Sequence, residues 1–566
     1  YLTMAEKQHL ELKAMEDFAR LKLNEIDVGI YSSLIGYTSV KNELKSLKTH
    51  LKQINQEVKG YDLRMAVLDY LIYRKNGDID CLKNSQFYFK KELDNSKVFD
   101  YWAFWAQCGA IATTYYLGRK YRGTIKKTPP YGIKNANRFP PIILLIVQSE
   151  MINKDNKRAW QMLRTFETYI VKMLKDFPKD EDYQQFIMKN YAEVVKERII
   201  VALKEKDFTD EQKMNRIIRA NEIQQNRLLQ ITDKDRRSLS RELHISRLLH
   251  GLARGKKKTG LVYITGEYFR DGCRKIVMMV RPDLNSGASN IMEIEITRVQ
   301  KVIDKFFQEV QAKEQKRRLS QLGRMFPILN AISQCDEVLI VPNSSFLNIP
   351  LHMIRLDGKF LFETTCVSYW PSLRLAKYAN EKKYEIFGKA CLIHTSDEKM
   401  AIKEANRISQ ILPDSITLSD PSKKEIMQNT KKANIIHVIA NQSRGKIYFN
   451  KYEFETSEFL NLICGAKNLV VMNVCGSGVR NIKEPPIAHQ SIAHSLMKTN
   501  SSIISHNWDL AQKASMVFSE TFYSLLMEQN SLSNSFILSL RNLKSLDPVM
   551  YGGYMLWGQA RAWIRN

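Results

Sequence analysis

The feature that most constrains the fold is an alternation of short apolar runs and helix-forming segments from about residue 335 onward. Each run is too short to span a bilayer and is typical of a buried strand. Strands that alternate with amphipathic helices predict an α/β domain with a mixed, mainly parallel sheet and helices on both faces. The runs are Val338–Val341, Lys389–Ile393, Asn434–Ala440, Asn468–Val474 and Ser501–Ser505, and the clearest helix is Ala401–Leu412.

The first 245 residues have a different pattern, with apolar residues at helical intervals and Lys and Glu between them. Thr209 is placed to cap a helix, and two Pro-Pro pairs within 129–141 forbid a continuous one there. The pattern predicts an all-α array like tetratricopeptide (TPR) repeats, although only fragments of their motif occur. We therefore predict a helical region at 1–245 and an α/β domain at 246–566, which opens with strands after a basic turn.

The cysteines and the charge limit the function classes. None of the 8 cysteines forms a Cys-x-x-Cys pair or has zinc-finger spacing, so we expect free thiols in a reducing cytoplasm and neither a metal nor another cofactor. No apolar run could cross a membrane. The net charge is +26, from 86 Lys and Arg against 60 Asp and Glu. This excess fits a nucleic-acid or acidic partner, and it also fits the codon bias of an AT-rich genome.

Cys475 is the strongest candidate for chemistry. It follows an apolar run, and in parallel sheets functional groups gather at the carboxyl ends of strands. Gly476, Ser477 and Gly478 come next, and small residues there let backbone N–H groups approach a reacting carbonyl and stabilise an oxyanion. The alternative interpretation is a buried core cysteine.

The order of motifs around Cys475 is more specific than any one of them. They are DEVLIVPNSSFLNIPLHMI, FLFETTCVSYWPSLRLA, MAIKEANRISQILP (with Glu404), NLVVMNVCGSG, PIAHQSIAHSLMKTNSSIISHNWDL, FSETFYSLLMEQNSLSNSFILSLRNL and YGGYMLWG. In this order the segments resemble a CHAT domain, a family of cysteine peptidases related to caspases and separases. The match covers 330–566 best. The resemblance implies a caspase-like fold, with Cys475 as the nucleophile.

The catalytic histidine of the family is not where the resemblance places it. The family often has two His four residues apart, and the second, in a His-Gly pair, acts as general base. His437 matches the first, and Asn441 with Gln442 occupies the His-Gly place. Asn cannot accept a proton from a thiol. Three explanations are open: the sequence lacks a loop near residue 441 that carries the base, the chain is a pseudopeptidase, or His437 or His506 substitutes.

The resemblance also implies a substrate pocket beside the cysteine, and Trp508 and Asp509, with His506, are placed to line it. Trp508 could instead simply pack against the sheet. We expect a cysteine endopeptidase that cleaves a protein substrate through a thiolate and an acyl-enzyme. The alternative is a catalytically inactive CHAT scaffold whose helical array binds a partner.

Regulation is implied by the resemblance alone. CHAT proteins with TPR-like arrays include the peptidase subunit of type III-E CRISPR effectors, in which an RNA-guided partner switches the protease, and other bacterial defence proteases. The size, helical first half and basic charge of this chain are compatible with that subtype. We expect an RNA-guided effector ribonucleoprotein to dock on the helical region, because helical arrays are docking surfaces.

Overall fold

The computed structural model describes residues 37–53, 60–96, 101–119, 121, 140–152, 156, 158–163, 195–228, 245–253, 257–270, 273–312, 323–342, 346, 351–381, 385–387, 389–443, 446–463, 469–476, 502–506, 512–543, 553–558 and 563–565. The chain divides into two compact units. The first takes in residues up to 208 together with 268–274, and the second takes in 209–267 and 275–566.

The first unit is helical in nearly all its described residues. Helices that follow one another along the chain pack together. Residues 195–204 add a further helical segment. The helices are α1 (Tyr37–Gln53), α2 (Tyr61–Asn76), α3 (Ile79–Asn95), α4 (Tyr101–Tyr116) and α5 (Pro140–Ile152). The predicted helical character is thus confirmed for these segments, while the first 36 residues lie outside the described part.

A glycine lets α3 and α4 approach closely. A Cβ built on Gly109 of α4 would lie 2.4 Å from the ring of Phe89 on α3, which is closer than real Cβ contacts allow. Phe89 is fully buried, so its ring fills the space that a side chain at 109 would need. The helix spacing here depends on the absence of one methyl group.

The second unit contains a large, mostly parallel sheet and helices on both of its faces. Its described helices are α6 (Asp210–Leu228), α7 (Ile245–Leu252), α8 (Ile296–Ala312), α9 (Leu361–Thr364), α10 (Leu373–Glu381), α11 (Lys399–Ile411), α12 (Lys423–Thr430), α13 (Thr456–Ile463), α14 (Gln512–Met527) and α15 (Leu532–Asn542). Short 3-10 helices occur at Pro327–Ile332 and Leu351–Met353.

Each predicted apolar run contains a strand, and further strands occur outside those runs. The strands are β1 (Thr259–Ile264), β2 (Tyr268–Arg270), β3 (Cys273–Arg281), β4 (Asn290–Glu295), β5 (Glu337–Val341), β6 (Arg355–Leu356), β7 (Lys359–Phe360), β8 (Cys366–Tyr369), β9 (Glu385–Phe387), β10 (Ala390–His394), β11 (Ile416–Ser419), β12 (Ile435–Ser443), β13 (Lys446–Tyr448), β14 (Glu453–Glu455), β15 (Leu469–Gly476), β16 (Ser502–His506), β17 (Tyr554–Trp557) and β18 (Trp563–Arg565). The predicted α/β character with a mainly parallel sheet is therefore confirmed.

The main sheet has the order β11-β10-β12-β15-β16-β17-β8-β5-β1-β3. β11, β10, β12, β15 and β16 are parallel to one another. β17 is antiparallel to β16 but parallel to β8, and β8, β5 and β1 are parallel in turn. The sheet thus consists of two parallel blocks that run in opposite directions. The first block contains β11, β10, β12, β15 and β16, and the second contains β17, β8, β5 and β1. The carboxyl ends of β12 and β15 lie on the side of the sheet where β17 begins.

Each face of the first block is covered by its own helices. On one face α14 and α15 supply Phe518, Phe522, Leu526 and Phe536 to a core with strand residues such as Val471 and Leu556. On the other face α12 and α13 supply Ile426, Phe459 and Leu460 to a core with Val470 and Met472. Because neighbouring side chains in a strand point to opposite faces of the sheet, Val470 belongs to one core and Val471 to the other.

Helix α6 belongs to the second unit. Its Glu222 is fully buried. Its carboxylate accepts hydrogen bonds from the Tyr263 hydroxyl at 3.2 Å and from the backbone N–H groups of Leu373 and Arg374 at 2.9 and 3.1 Å. It therefore ties α6 to β1 and to the first turn of α10. Thr209 and Gln212 cap α6 reciprocally, which confirms the predicted cap.

Candidate functional site

The backbone positions of Cys475 and Asn441 are paired across two adjacent parallel strands. In the ladder between β12 and β15, Ile439 is the partner of Asn473, Asn441 of Cys475 and Gln442 of Gly476. Both strands end within two residues of this pair, at Ser443 and Gly476. The structure thus brings the backbone of Cys475, the predicted nucleophile, to a strand end and beside that of Asn441.

Other predicted site residues fall partly within the described chain. Gly476 is the last residue of β15, and His506 is the last residue of β16. Ser477, Gly478, Trp508 and Asp509 lie outside the described residues, so their predicted roles stay predictions.

His437 lies deep in the sheet and both of its ring nitrogens are engaged. It is fully buried. Its Nδ1 lies 3.0 Å from the Tyr523 hydroxyl and its Nε2 lies 3.2 Å from Oε1 of Glu404. Burial, together with the charge of Glu404, raises the pKa of Tyr523 well above its ordinary value, so the hydroxyl keeps its proton and donates it to Nδ1. Nε2–H then donates to Glu404, and neither nitrogen is left to accept a proton from a thiol.

His437 is also distant from Cys475 along the sheet. It pairs with Val471, four residues before Cys475 on the neighbouring strand. At ~3.3 Å per residue and ~4.8 Å between strands, the two Cα atoms are about 14 Å apart.

His506 has a closer position on the other side of β15. The ladder between β15 and β16 pairs Val471 with Ile504. Continued for two residues, that register places His506 beside Asn473, so its Cα is about 8 Å from that of Cys475. The His506 ring meets Tyr554 edge to face, with centroids 5.9 Å apart. Of the two histidines predicted as substitute bases, the fold brings His506 nearer to the cysteine.

A buried polar network lies beneath the paired strand ends. Its centre is the carboxylate of Glu404, which accepts hydrogen bonds from Asn473 at 2.6 Å, Ser519 at 2.7 Å and Ser515 at 3.2 Å, besides the one from His437. The Tyr554 hydroxyl donates to Oδ1 of Asn473 at 3.0 Å. We call this the Glu404 cluster, and it comprises Glu404, His437, Asn473, Ser515, Ser519, Tyr523 and Tyr554.

The Glu404 cluster fixes the strands that carry the candidate site. It joins α11, β12, β15, α14 and β17, and its members are all buried. A carboxylate out of water is tolerated only when donors surround it, and here four side chains supply them. The resemblance had matched the helix of Glu404 but indicated no role for it. The signal that could have found one is a charged residue on the apolar face of an amphipathic helix.

Two helices begin at the same edge of the sheet. α11 follows β10 and α14 follows β16, and the two helices pack together. Gln512, the first residue of α14, donates to Glu398, the residue before α11, at 2.9 Å. About two turns further along the two helices, Arg407 of α11 and Glu520 of α14 form an ion pair at 2.5 Å. Helix N-termini carry partial positive charge, so this edge favours negative charge, such as a thiolate or an oxyanion.

His394 is a buried residue that the sequence analysis did not single out. It ends β10 and pairs with Ile439, two residues before Asn441. Its Nδ1 lies 2.9 Å from the carbonyl oxygen of Thr395. The loop that follows is held by Asp420, which accepts from Ser396 N–H at 3.0 Å and Asn450 N–H at 3.1 Å. This rim of the sheet is therefore fixed by hydrogen bonds on the β10 side as well.

Among the described residues, no group of three or more His, Cys, Asp or Glu side chains is arranged to hold a metal ion. Within the same part of the chain, no helix combines the length and the apolar character that a membrane span requires. Comparison with protein-family models and with curated proteins finds no match to this chain.

Proposed function

We propose that the chain is a cysteine endopeptidase of the CHAT type, in which Cys475 attacks a peptide carbonyl of a protein substrate. The observation that carries the proposal is the pairing of Cys475 with Asn441 at the ends of two adjacent parallel strands. Those are the places in which the family has its cysteine and histidine. The helix N-termini at this edge support a thiolate there.

In this proposal the thiol proton passes to His506, and the thiolate forms a bond to the carbonyl carbon. Backbone N–H groups of 476–478 donate to the resulting oxyanion. The C–N bond then breaks, the amine leaves with the proton held by His506, and water hydrolyses the thioester to release the second product. His506 has this role rather than His437 because its Cα is nearer to Cys475 and His437 is enclosed in the Glu404 cluster.

The first test measures the reactivity of Cys475 itself. The intact protein is alkylated with iodoacetamide between pH 6 and 9, and each cysteine is followed by peptide mass spectrometry. Cys475 should react much faster than Cys391, a fully buried cysteine in β10 that serves as internal control. His506→Gln should slow Cys475 labelling near neutral pH, and His437→Gln should leave it within about twofold if the variant folds. Equal rates for Cys475 and Cys391 would contradict the proposal.

A second test introduces a histidine at position 441. If Asn441 stands in the place of the family's histidine, Asn441→His should create a Cys–His pair, and a positioned base contributes roughly 10²- to 10⁴-fold. Proteins from the source cell are incubated with this variant, with wild type and with Asn441→His combined with Cys475→Ala, and new N-termini are mapped. Cleavage that rises with Asn441→His and vanishes in the double variant supports the proposal.

The alternative function is a non-catalytic scaffold. It is favoured because His437 is hydrogen-bonded within the core and the residue paired with Cys475 is Asn441 rather than a histidine. It predicts that Cys475→Ala changes no cleavage and that Asn441→His creates none.

We further propose that the helical first unit is a TPR-like docking array for an RNA-guided effector of the type III-E CRISPR class. Its consecutively packed helices and the exposed ring of Phe87 (61% accessible) support a partner surface. The purified chain should then be inactive, and the RNA-bound partner with complementary target RNA should induce Cys475-dependent cleavage. Full activity of the isolated chain would exclude this form of regulation.

A further inference from the structure

A basic surface lies on α12 and on the turn that leads from it into β12. An open groove there is lined by seven residues, of which four are lysines and none is acidic. Four in seven is about 57%, whereas 86 of 566 residues, about 15%, are Lys or Arg in the whole chain. The groove lining is therefore roughly fourfold richer in basic residues than the whole chain.

Three of these lysines have no carboxylate partner among the described residues, and these are Lys424, Lys431 and Lys432. All three are exposed. The fourth, Lys423, forms an ion pair with Glu458 at 2.5 Å. Glu425 is occupied in capping its own helix, since its carboxylate accepts from the N–H and the hydroxyl of Ser422. Three ammonium groups therefore remain to attract an anion.

The lining residues suit a polyanion that is held by charge alone. Lysine binds phosphate as a point charge, without the bidentate geometry of arginine, and no arginine lines this groove. No aromatic ring lines it either, so it offers no platform for base stacking. Gln428, Asn429 and the exposed Met427 complete the contact area. The surface is therefore suited to binding a sugar-phosphate backbone without recognising the base sequence.

The position of this surface separates it from the candidate peptidase site. Lys431 and Lys432 immediately precede β12, which begins at Ile435, whereas Asn441 lies near the other end of that strand. Six residues at ~3.3 Å each put the two ends about 20 Å apart. An anion bound at the lysines leaves the carboxyl edge of the sheet open.

We propose that Lys424, Lys431 and Lys432 form a docking surface for the phosphate backbone of a nucleic acid, bound without sequence preference. The proposal does not depend on peptidase activity. The occupant is a chain of phosphodiesters because a nucleic acid carries a charge at every residue, so exposed lysines can hold it through charge attraction alone. Single-stranded and duplex forms share that chemistry, and the experiment distinguishes them.

The test measures binding of fluorescein-labelled 20-nucleotide RNA, DNA and duplex DNA to the full chain by fluorescence anisotropy. The variant Lys424→Glu, Lys431→Glu, Lys432→Glu is compared with Lys301→Glu, Lys305→Glu, Lys359→Glu, which changes three other exposed lysines. Each triple change lowers the net charge by six, from +26 to +20. The first variant should bind at least about tenfold more weakly than wild type and the second within about threefold.

The salt dependence gives a second readout. Three phosphate contacts on a single strand predict a slope of log K against log salt near −2, which is roughly a 20-fold loss from 50 to 200 mM. The α12 variant should have a correspondingly shallower slope. RNA of two unrelated sequences should bind alike, and saturating RNA should leave Cys475 alkylation unchanged.

Three results would overturn the proposal. Equal weakening in both triple variants would mean that binding follows net charge rather than this surface. Displacement of the RNA by polyglutamate at equal charge concentration would identify an acidic-peptide site instead. No binding by the wild-type chain at 50 mM salt would remove the docking surface altogether. Circular dichroism melting of each variant verifies that the comparisons are between folded proteins.

Discussion

At the scale of single residues, His437 illustrates how burial changes the meaning of a candidate catalytic side chain. In the sequence, the resemblance to a CHAT domain places it at the first of that family's two histidines. In the fold its two nitrogens bind Tyr523 and Glu404, at 3.0 and 3.2 Å, and it has no exposed surface. The sequence could predict the strand around it, because apolar runs are local. It could not predict the partners, which lie 86 and 33 residues away on helices.

His437→Ala should therefore destabilise the protein. The change leaves the Glu404 carboxylate short of a donor and the Tyr523 hydroxyl without its acceptor, and such losses cost about 2–4 kcal/mol. Urea unfolding followed by circular dichroism measures the difference. His250→Ala, at an exposed histidine, is the control and should stay within about 0.5 kcal/mol of wild type. A variant at 437 that unfolds like wild type would contradict the hydrogen-bonding assignment.

Asp420 predicts a dependence on pH. Burial raises its pKa, but the hydroxyl and N–H of Ser396, the N–H of Asn450 and the charge of Lys451 outweigh this and lower the pKa below its ordinary value. A carboxyl with a depressed pKa in the folded state stabilises the protein above its unfolded pKa, and the contribution is lost as pH falls through the folded pKa.

Asp420→Asn is the matching substitution, because its backbone has φ 46° and Asn tolerates that region. The variant should be less stable than wild type by an amount that is constant above about pH 5 and shrinks below about pH 4. Unfolding in urea at pH 7, 5, 4 and 3 gives the difference at each pH. A difference that grows toward low pH would contradict the assigned sign.

At the scale of elements, the strands could be predicted from sequence and the close contacts between helices could not. Apolar runs predicted β5, β10, β12, β15 and β16 to within three residues at each end, because a buried parallel strand is a local pattern. The contact of α3 with α4 depends on Phe89 meeting Gly109, and nothing in the local sequence pairs these residues.

Gly109→Ala should push α3 and α4 apart. The new methyl group would need to lie 2.4 Å from the Phe89 ring, and such overpacking costs about 1–3 kcal/mol despite the better helix propensity of Ala. Phe89→Leu should be destabilising alone but should recover part of the loss when combined with Gly109→Ala. Thermal unfolding of the four proteins in this cycle measures the coupling. Additive effects would mean that the two residues do not compete for the same space.

At the scale of the whole molecule, the division into units depends on long-range contacts. The predicted boundary at 245/246 followed the change from helical to strand-like periodicity and stays a prediction. Helix α6 is grouped with the second unit, and its Glu222 binds Tyr263 and the first turn of α10, 41 and 151 residues away. Periodicity identifies the type of an element and carries no information about its neighbours in the fold.

A fragment of residues 209–566 should accordingly fold better than a fragment of residues 246–566. The shorter one loses Glu222 and leaves the buried Tyr263 hydroxyl and two N–H groups of α10 unsatisfied. Cooperativity of urea unfolding and protection from proteolysis compare the two. Equal behaviour would mean that α6 is dispensable for the second unit.

The place of β17 has a consequence for how the protein is made. This strand lies between β16 and β8, where the two parallel blocks of the sheet meet, yet the ribosome produces it after every other strand of that sheet. Until residues 554–557 emerge, the nascent chain can hold only two half-sheets, each with an open edge. Open edges pair with other chains, so this interval of synthesis is the one in which the protein most needs a chaperone.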